Sequence, residues 1–420
     1  MVKVYRFAAV RPKRGAASAI AAVPYDVVTA DEAREIIAKN PRSFLCVSRS
    51  DAQVPEIPPH DTRVYDLARE NFLAMLRDGS MRRDDEPSMY IYRVRHEGET
   101  FVGLCCCVDV ADYRANRIRR HEQTRYEKEE DRTQHIRITR AHNGPVVLLY
   151  RDTGQIFDFI ESLVPATPVP EAEVRTDTGV LHQIFRISDL KALERISSLF
   201  TQVPNLYIAD GHHRAKSAVN VADRNPNPAG PNEEINRFLA VLFAHDQVRI
   251  HGYSRLVTDL GTCTKDSFFH HLKKYFDVQP YGEVEGSGFN IPPKLKNPGQ
   301  YHVVHMYLDS RWYECTRPVE PQASLLDSLD VTILQKYVLE EALGITDPRR
   351  DARLQYLGGA RPIADLARLV DDGAYAVAFA MQPIRVGTVL AIADAHGVMP
   401  PKSTWFEPKL LSGLVVHTFE

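Results

Sequence analysis

An apolar run, Leu206-Tyr-Ile-Ala209, passes through Asp210-Gly211 straight into a helix-forming segment, His212-His-Arg-Ala-Lys-Ser-Ala218. A strand that becomes a helix within two residues needs a tight backbone turn. Gly211 supplies it, because glycine takes positive φ without steric cost. Asp210 is suited to capping the new helix by accepting from its first free N–H groups. Those N–H groups, with the positive end of the helix dipole, form an anion site. His212, His213 and Arg214 add three cationic or donor side chains on the first turn, and arginine grips phosphate oxygens bidentately. The junction therefore predicts phosphate recognition. Two other readings fit the same residues. One is a helix start whose histidines meet surface carboxylates. The other is a metal site, although adjacent histidines diverge on a helix and rarely chelate one ion.

The rest of the chain also mixes strands and helices. Ser88–Arg95 and Thr100–Val110 read as a strand pair around Glu97-Gly98, and Pro145–Tyr150 as a short apolar strand. Gln155–Val164 fits a helix, Phe238–Phe243 a strand or helix end, and Tyr301–Leu308 with Trp312–Cys315 a hairpin about Asp309-Ser310. Leu325–Leu343 is expected to form one long amphipathic helix, followed by a helix at Ile363–Val370, a strand at Ala374–Ala380 and a helix at Val386–Ala395. The expected fold class is α+β, a mixed α/β chain without the strict alternation of a doubly wound sheet. Proline-rich joints fall at Asp51–Asp61, Asp223–Asn232 and Tyr281–Gln300. At roughly 150 residues per domain, the 420 residues make two or three domains. The expected division is 1–280 and 281–420.

Charge and composition exclude several classes. With 44% hydrophobic and 25% charged residues the chain is neither disordered nor fibrous. A net charge of −3 and a pI near 6.6 oppose a dedicated duplex-DNA binder. No run approaches ~18 apolar residues, so no membrane span is expected. The basic residues before Ala16–Val23 imitate a signal peptide, but the run is alanine-rich and Pro24-Tyr25-Asp26 interrupts it, which predicts a cytoplasmic protein. None of the six cysteines forms a Cys-x-x-Cys pair, and Cys105–Cys107 read as part of a buried strand.

Two further segments carry chemistry. Ile118–Asn143 is charged throughout and lies between apolar strands. It reads either as a solvated helix laced with ion pairs or as the inventory of phosphoryl transfer: carboxylates for a hydroxyl proton and Mg²⁺, arginines for developing charge. Val398–Leu414 is stiffened by Pro400, Pro401 and Pro408 and carries Lys402 and Lys409. It reads as a loop closing over a ligand, or as an arm packing Trp405 and Phe406 on the core. Leu343–Gly359 reads as a turn-rich structural link.

Several segments together resemble the bacterial and archaeal family known as domain of unknown function 1015. They are Val23-Pro-Tyr-Asp-Val-Val28, Asn40-Pro41, Arg120-His-Glu-Gln-Thr124, Glu130-Asp-Arg132, Asp210–Arg214, Ser328-Leu-Asp-Val331, Gly344–Arg349, Gly358-Gly359 and Met399–Lys409. Tyr253-Ser-Arg255 departs from the family's commoner Tyr-Asn-Arg. The Asp210–Arg214 motif is also similar to the phosphate-binding motif of the ParB and sulfiredoxin superfamily, which includes free-serine kinases. That resemblance implies a ParB/sulfiredoxin-like core and phosphoryl transfer from ATP or ADP, with Mg²⁺, to a small hydroxy amino acid such as L-serine. In that scheme Gly211, His212, His213, Arg214, Arg132 and Lys402 hold phosphate. Glu122 is the base, with His213 and Asp210 also catalytic, and Asp210 and Asp131 hold Mg²⁺. Tyr25, Asp26, His121, Thr124, Ser403 and Thr404 contact substrate. Nucleotide and small-molecule substrate are the expected partners; membrane and nucleic acid are not, and homodimerisation stays open. The rival classes are a ParB-like nucleotide-binding or nucleic-acid-associated module and a phosphate-ester hydrolase.

Overall fold

The computed structural model describes residues 1–164, 169–226, 230, 233–284, 290–295, 298–358 and 361–419. Parts of the joints at Asp223–Asn232 and Tyr281–Gln300, and Gly359, lie outside the described residues. The chain forms two compact units: Met1–Arg120 with Thr124–Val248 and Pro408–Glu420, and Arg249–Glu407 with His121–Gln123. The division falls near 248 rather than 280, because the Ser254–Val257 and Asp277–Pro280 strands belong to the second unit's sheet. The last segment of the chain returns to the first unit.

Among the described residues the first unit is built on a nine-stranded mixed sheet. From one edge the strands run Ile118–Arg119, Leu206–Asp210, Val146–Tyr150, Arg237–Ala244, Glu99–Asp109, Met89–His96, Leu181–Ile187 and Ala172–Arg175. Val4–Tyr5 pairs with Glu99–Asp109 at Val108 and Cys107, beyond the end of Met89–His96. The expected turn at Glu97-Gly98 is present, with φ of 49° and 85°. Two positive φ values are what a tight hairpin needs to match the strands' twist. Val146–Tyr150 is buried along its whole length, and Cys105, Cys106 and Cys107 are fully enclosed. Continuous apolar strands of this kind are covered on both faces.

The His212–Asp223 helix lays Ala215, Ala218 and Val219 on that core. Beside it runs the Tyr126–Thr139 helix; Ser217 Oγ donates to the Glu129 carbonyl at 2.9 Å, and Arg224 pairs with Glu130 at 2.7 Å. This second helix is the charged run of the sequence. It is not uniformly solvated: Thr133, His135, Ile136 and Thr139 are buried. A second apolar cluster joins Phe44, Leu45 and Phe72, the last from the Thr62–Arg77 helix, to Val416 of the returning segment.

The second unit holds, among the described residues, a six-stranded antiparallel sheet ordered Asp277–Pro280, Arg311–Pro318, Tyr301–Leu308, Val377–Met381, Ser254–Val257, Leu354–Leu357. Its hairpin turns at Asp309-Ser310, both near φ 55°. The long helix expected at Leu325–Leu343 is replaced by Asp330–Ile333 followed by a π-helical stretch, Leu334–Glu340. Ser324 binds Asp327 locally, so the first residues form a turn instead of a helix. Wider i→i+5 bonds, such as Leu343 N to Val338 O, then turn Leu334, Val338 and Leu339 inward. No helix among the described residues is long and apolar enough to cross a membrane.

Candidate active site

The strand–turn–helix junction forms as its residues dictate. Leu206–Asp210 ends at Gly211, whose φ of 94° lies in the left-handed region, and the helix starts at His212. Asp210 does not cap that helix. Its Oδ2 accepts from Arg214 Nη2 at 2.6 Å, and its Oδ1 accepts from Lys409 Nζ at 3.0 Å. Burial raises the Asp210 carboxyl, but Lys409 and Arg214 more than offset this and hold it well below the usual carboxylate range. Arg214 also donates to the Pro145 carbonyl. A Cβ on Gly211 would sit 3.0 Å from Arg214 Nε. Gly211→Ala therefore combines backbone strain with a shift of Arg214, and about 1–2 kcal/mol of stability should be lost in chemical denaturation.

The neighbouring histidines divide. His212 is buried, and burial pushes it down to about 3, with Asp210 opposing. It is neutral at pH 7 and acts as a hydrogen-bonding group, not as a charge. His213 Nε2 accepts from the Arg125 backbone N–H at 3.0 Å. Thr124 hydroxyl donates to Glu129 Oε1.

A cavity of about 380 Å³ opens in the same unit, lined by Tyr25, Asp26, Ser48, Tyr65, Asp131 and Arg132 among others. Its volume is in the range of small-molecule sites. Tyr25, Ser48, Arg132 and His135 also line an inner void of about 30 Å³, large enough for one water molecule, whose wall includes Arg214 and Asn143. Two motifs distant in sequence thus meet at Tyr25. Arg132 stacks over its ring at 4.2 Å, and the charges of both Arg132 and Arg214 act on its hydroxyl.

Asp131 accepts from Tyr65 hydroxyl at 2.9 Å and from Arg132 Nη2 at 2.7 Å. Burial raises its carboxyl, but Arg132 and Tyr65 outweigh that and hold it below the normal range. Arg132 also donates to the Ser48 carbonyl at 3.2 Å. Ser48 Oγ is buried on the cavity wall with no protein partner among the described residues.

His135 sits behind this wall. A carbonyl only accepts, so the 2.8 Å contact with Val47 O places the proton on Nε2 and leaves Nδ1 to accept from Asn143 Nδ2 at 3.3 Å. Burial and then Arg132 push His135 down to about 4; burial does the same to His182, also to about 4. The unfolded chain takes up these protons from about pH 6.5 downward, whereas the folded chain does not until near 4. Stability is therefore full above pH 6.5 and falls between 6.5 and 4, each histidine contributing up to about 1.4 kcal/mol per pH unit. Denaturation midpoints at pH 7.5, 6 and 5 should fall in that order; equal midpoints would contradict the buried neutral histidines.

The first unit brings together Tyr25, Asp26, Asp131, Arg132, Asp210, Gly211 and Arg214, with His212, His213 and Thr124 nearby on the same elements. The remaining expected residues belong to the second unit. His121 is buried and its carbonyl accepts from Met399 N at 2.9 Å, while Glu122 is half-buried. Lys402 Nζ lies 3.4 Å from Tyr253 hydroxyl, Ser403 Oγ donates to Pro400 O at 2.7 Å, and Thr404 adjoins it. Sequence reasoning missed Ser48, Tyr65, His135 and Asn143 and gave Lys409 no role. His135 and Asn143 lay inside the flagged Ile118–Asn143 run and Lys409 inside Val398–Leu414, whereas Ser48 and Tyr65 lay in no flagged segment.

Mg²⁺ needs carboxylate oxygens free to coordinate. Asp131 is held by Arg132 and Tyr65, and Asp210 by Arg214 and Lys409, so the two do not fit a dedicated metal pair. Among the described residues the grouping of metal-ligand type is Cys107, Glu234 and His417. Glu234 there is already bound by His417 at 2.7 Å and by Arg237 at 2.7 Å.

A family model described as a protein of unknown function, DUF1015, matches residues 4–332. The segments Gly344–Arg349, Gly358-Gly359 and Met399–Lys409 lie beyond that match. No curated protein sequence matches the chain. Among solved structures, a free serine kinase in complex with AMP is 12% identical, with a TM-score of 0.37, covering 74% of this chain and 90% of that one. A conserved hypothetical protein from Pyrococcus furiosus is 12% identical, with a TM-score of 0.34, covering 72% and 90%. SbnI from Staphylococcus aureus, truncated at its C-terminus, is 10% identical, with a TM-score of 0.37, covering 73% and 85%.

Proposed function

The chain belongs to the DUF1015 family of proteins of unknown function, and from that premise and the geometry of its first unit we propose that it is a phosphotransferase. It moves a phosphoryl group from ATP or ADP to the hydroxyl of a small amino acid, L-serine giving O-phosphoserine. The observation that carries this reading is the convergence of Arg132 and Arg214, from two different helices, on the Tyr25-Asp26 segment beside a cavity of about 380 Å³. The resemblance of Asp210–Arg214 to the ParB/sulfiredoxin phosphate motif agrees with it.

The chemistry needs little beyond positioning and charge. Arg132 and Arg214 are guanidiniums fixed by Asp131 and Asp210, so they face developing phosphate charge without reorganising. Lys409 shares Asp210 and keeps that carboxylate from neutralising Arg214 fully. The N–H groups after Gly211 offer donors to phosphate oxygens. A carboxylate takes the hydroxyl proton as the oxygen attacks the terminal phosphorus and the bridging P–O bond breaks, releasing ADP from ATP or AMP from ADP. Glu122 is the sequence's candidate, and Asp26, which lines the cavity, is the second. Asp131 and Asp210 are already held by their cationic partners, so no step is routed through a metal bound by them.

Mass spectrometry of reactions containing ATP or ADP with L-serine tests the reading: O-phosphoserine supports it. Free phosphate formed equally without serine points instead to the hydrolase. Glu122→Gln and Asp26→Asn then separate the two bases. The true base loses turnover by about 10²-fold or more while nucleotide affinity changes only a few-fold.

A further inference from the structure

The second unit contains two cations that no carboxylate meets among the described residues. Arg255, on the Ser254–Val257 strand, is 3% exposed. Its guanidinium donates to the Tyr253 carbonyl and, at 3.4 Å, to the Pro401 carbonyl, and lies 5.4 Å from the Tyr356 ring. Lys402 is exposed; its Nζ is 3.4 Å from Tyr253 hydroxyl and 5.2 Å from that ring. Tyr253 thus joins the two cations. Burying a guanidinium without a counter-anion is costly, and proteins ordinarily pair it. Burial pushes Arg255 down to about 10, which still leaves it charged at pH 7.

The surrounding backbone is built to hold this arrangement. Lys402 has φ of 55°, a left-handed conformation that a non-glycine residue adopts only under constraint. Pro400 and Pro401 precede it, and Ser403 ties back to Pro400. Trp405 packs edge-on to Tyr253 at 5.4 Å and presses on Gly358, where a Cβ would lie 2.4 Å from the indole. Arg249–His251 pairs with Trp405–Glu407 and anchors the end of the loop. Gly358, the Met399–Glu407 part of the family-like C-terminal segment, and the divergent Tyr253-Ser-Arg255 therefore form one cluster. The reaction proposed for the first unit makes no use of it.

We propose that Arg255 and Lys402 form an oxyanion subsite in the second unit, which takes a phosphoryl or carboxylate group of a ligand beside Tyr253 and Trp405. An anion there supplies the charge that Arg255 lacks and uses Lys402 as its outer partner, while the aromatic pair gives the rest of the ligand a face to rest on. The inference does not depend on the reaction proposed for the first unit.

Trp405 makes it testable, because the chain has only one other tryptophan, Trp312, which is buried. In a Trp312→Phe background, intrinsic fluorescence reports on Trp405 alone. Titration with pyrophosphate and, separately, with L-serine distinguishes phosphoryl from carboxylate recognition. A saturable change with either one is expected. Lys402→Met should weaken it about tenfold, and Arg255→Met should abolish it. If Arg255→Met fails to fold, the exposed Lys402→Met carries the test. No saturable response to either anion, or an unchanged response in Lys402→Met, would overturn the subsite.

Discussion

Asp131→Asn is expected to lower the unfolding free energy by about 3–5 kcal/mol, the cost of leaving one member of a buried ion pair uncompensated. Asp131 and Arg132 are 18% and 11% exposed, and among the described residues Arg132 has no other carboxylate at salt-bridge distance. An amide can still accept from Tyr65, but it cannot offset the guanidinium charge that Arg132 holds against the Tyr25 ring. The double variant Asp131→Asn/Arg132→Met should recover most of the loss, because removing both charges eliminates the unpaired one. Chemical denaturation of the wild type, the single and the double variant measures this. A single variant as stable as the wild type would show that Arg132 does not depend on Asp131.

Arg214→Met is expected to lower kcat/KM for phosphoryl transfer by about 10²–10³-fold, the usual consequence of removing one preorganised charge from a transferring group. Its effect on stability should be smaller, because Lys409 continues to neutralise Asp210 at 3.0 Å. Arg214→Lys should recover little. A lysine offers no planar fork, so it cannot reach Asp210 and the Pro145 carbonyl together as Arg214 does. Steady-state kinetics with varied nucleotide measures both variants. A loss confined to stability, with transfer unchanged in the folded fraction, would make Arg214 structural.

The two predictions rest on residues that differ in how legible they were. Arg214 is set by local sequence: an apolar strand, a glycine able to take positive φ and a helix start fix where it points. Asp131-Arg132 lay in a run whose charge density also fits a solvated helix. Which face of that helix is buried depends on the Thr62–Arg77 helix and the Ser48–Asp51 turn, which nothing local specifies. Ser48, Tyr65 and His135 were illegible for the same reason: each looks like an ordinary core or surface residue until the tertiary fold encloses it. The strand pair at Glu97-Gly98 and the hairpin at Asp309-Ser310 were legible because turn and alternation are local. The helix expected at Leu325–Leu343 was not realised as such, because apolar periodicity does not register a Ser324 turn or an i→i+5 shift. The division of units was misplaced because Ser254–Val257 takes its place in the second sheet by pairing with strands roughly 100 residues further along the chain.

The most direct test of the central claim is a ³¹P NMR time course of the purified protein with Mg²⁺ and L-serine, with ATP and ADP in separate tubes, run beside Arg132→Met and Arg214→Met. A phosphomonoester resonance that grows only when serine is present, names its donor by the tube in which it appears, and is nearly absent in both variants is the result expected. Nucleotide that stays intact in every tube, or phosphate that accumulates equally with and without serine, would contradict a serine-directed phosphotransferase.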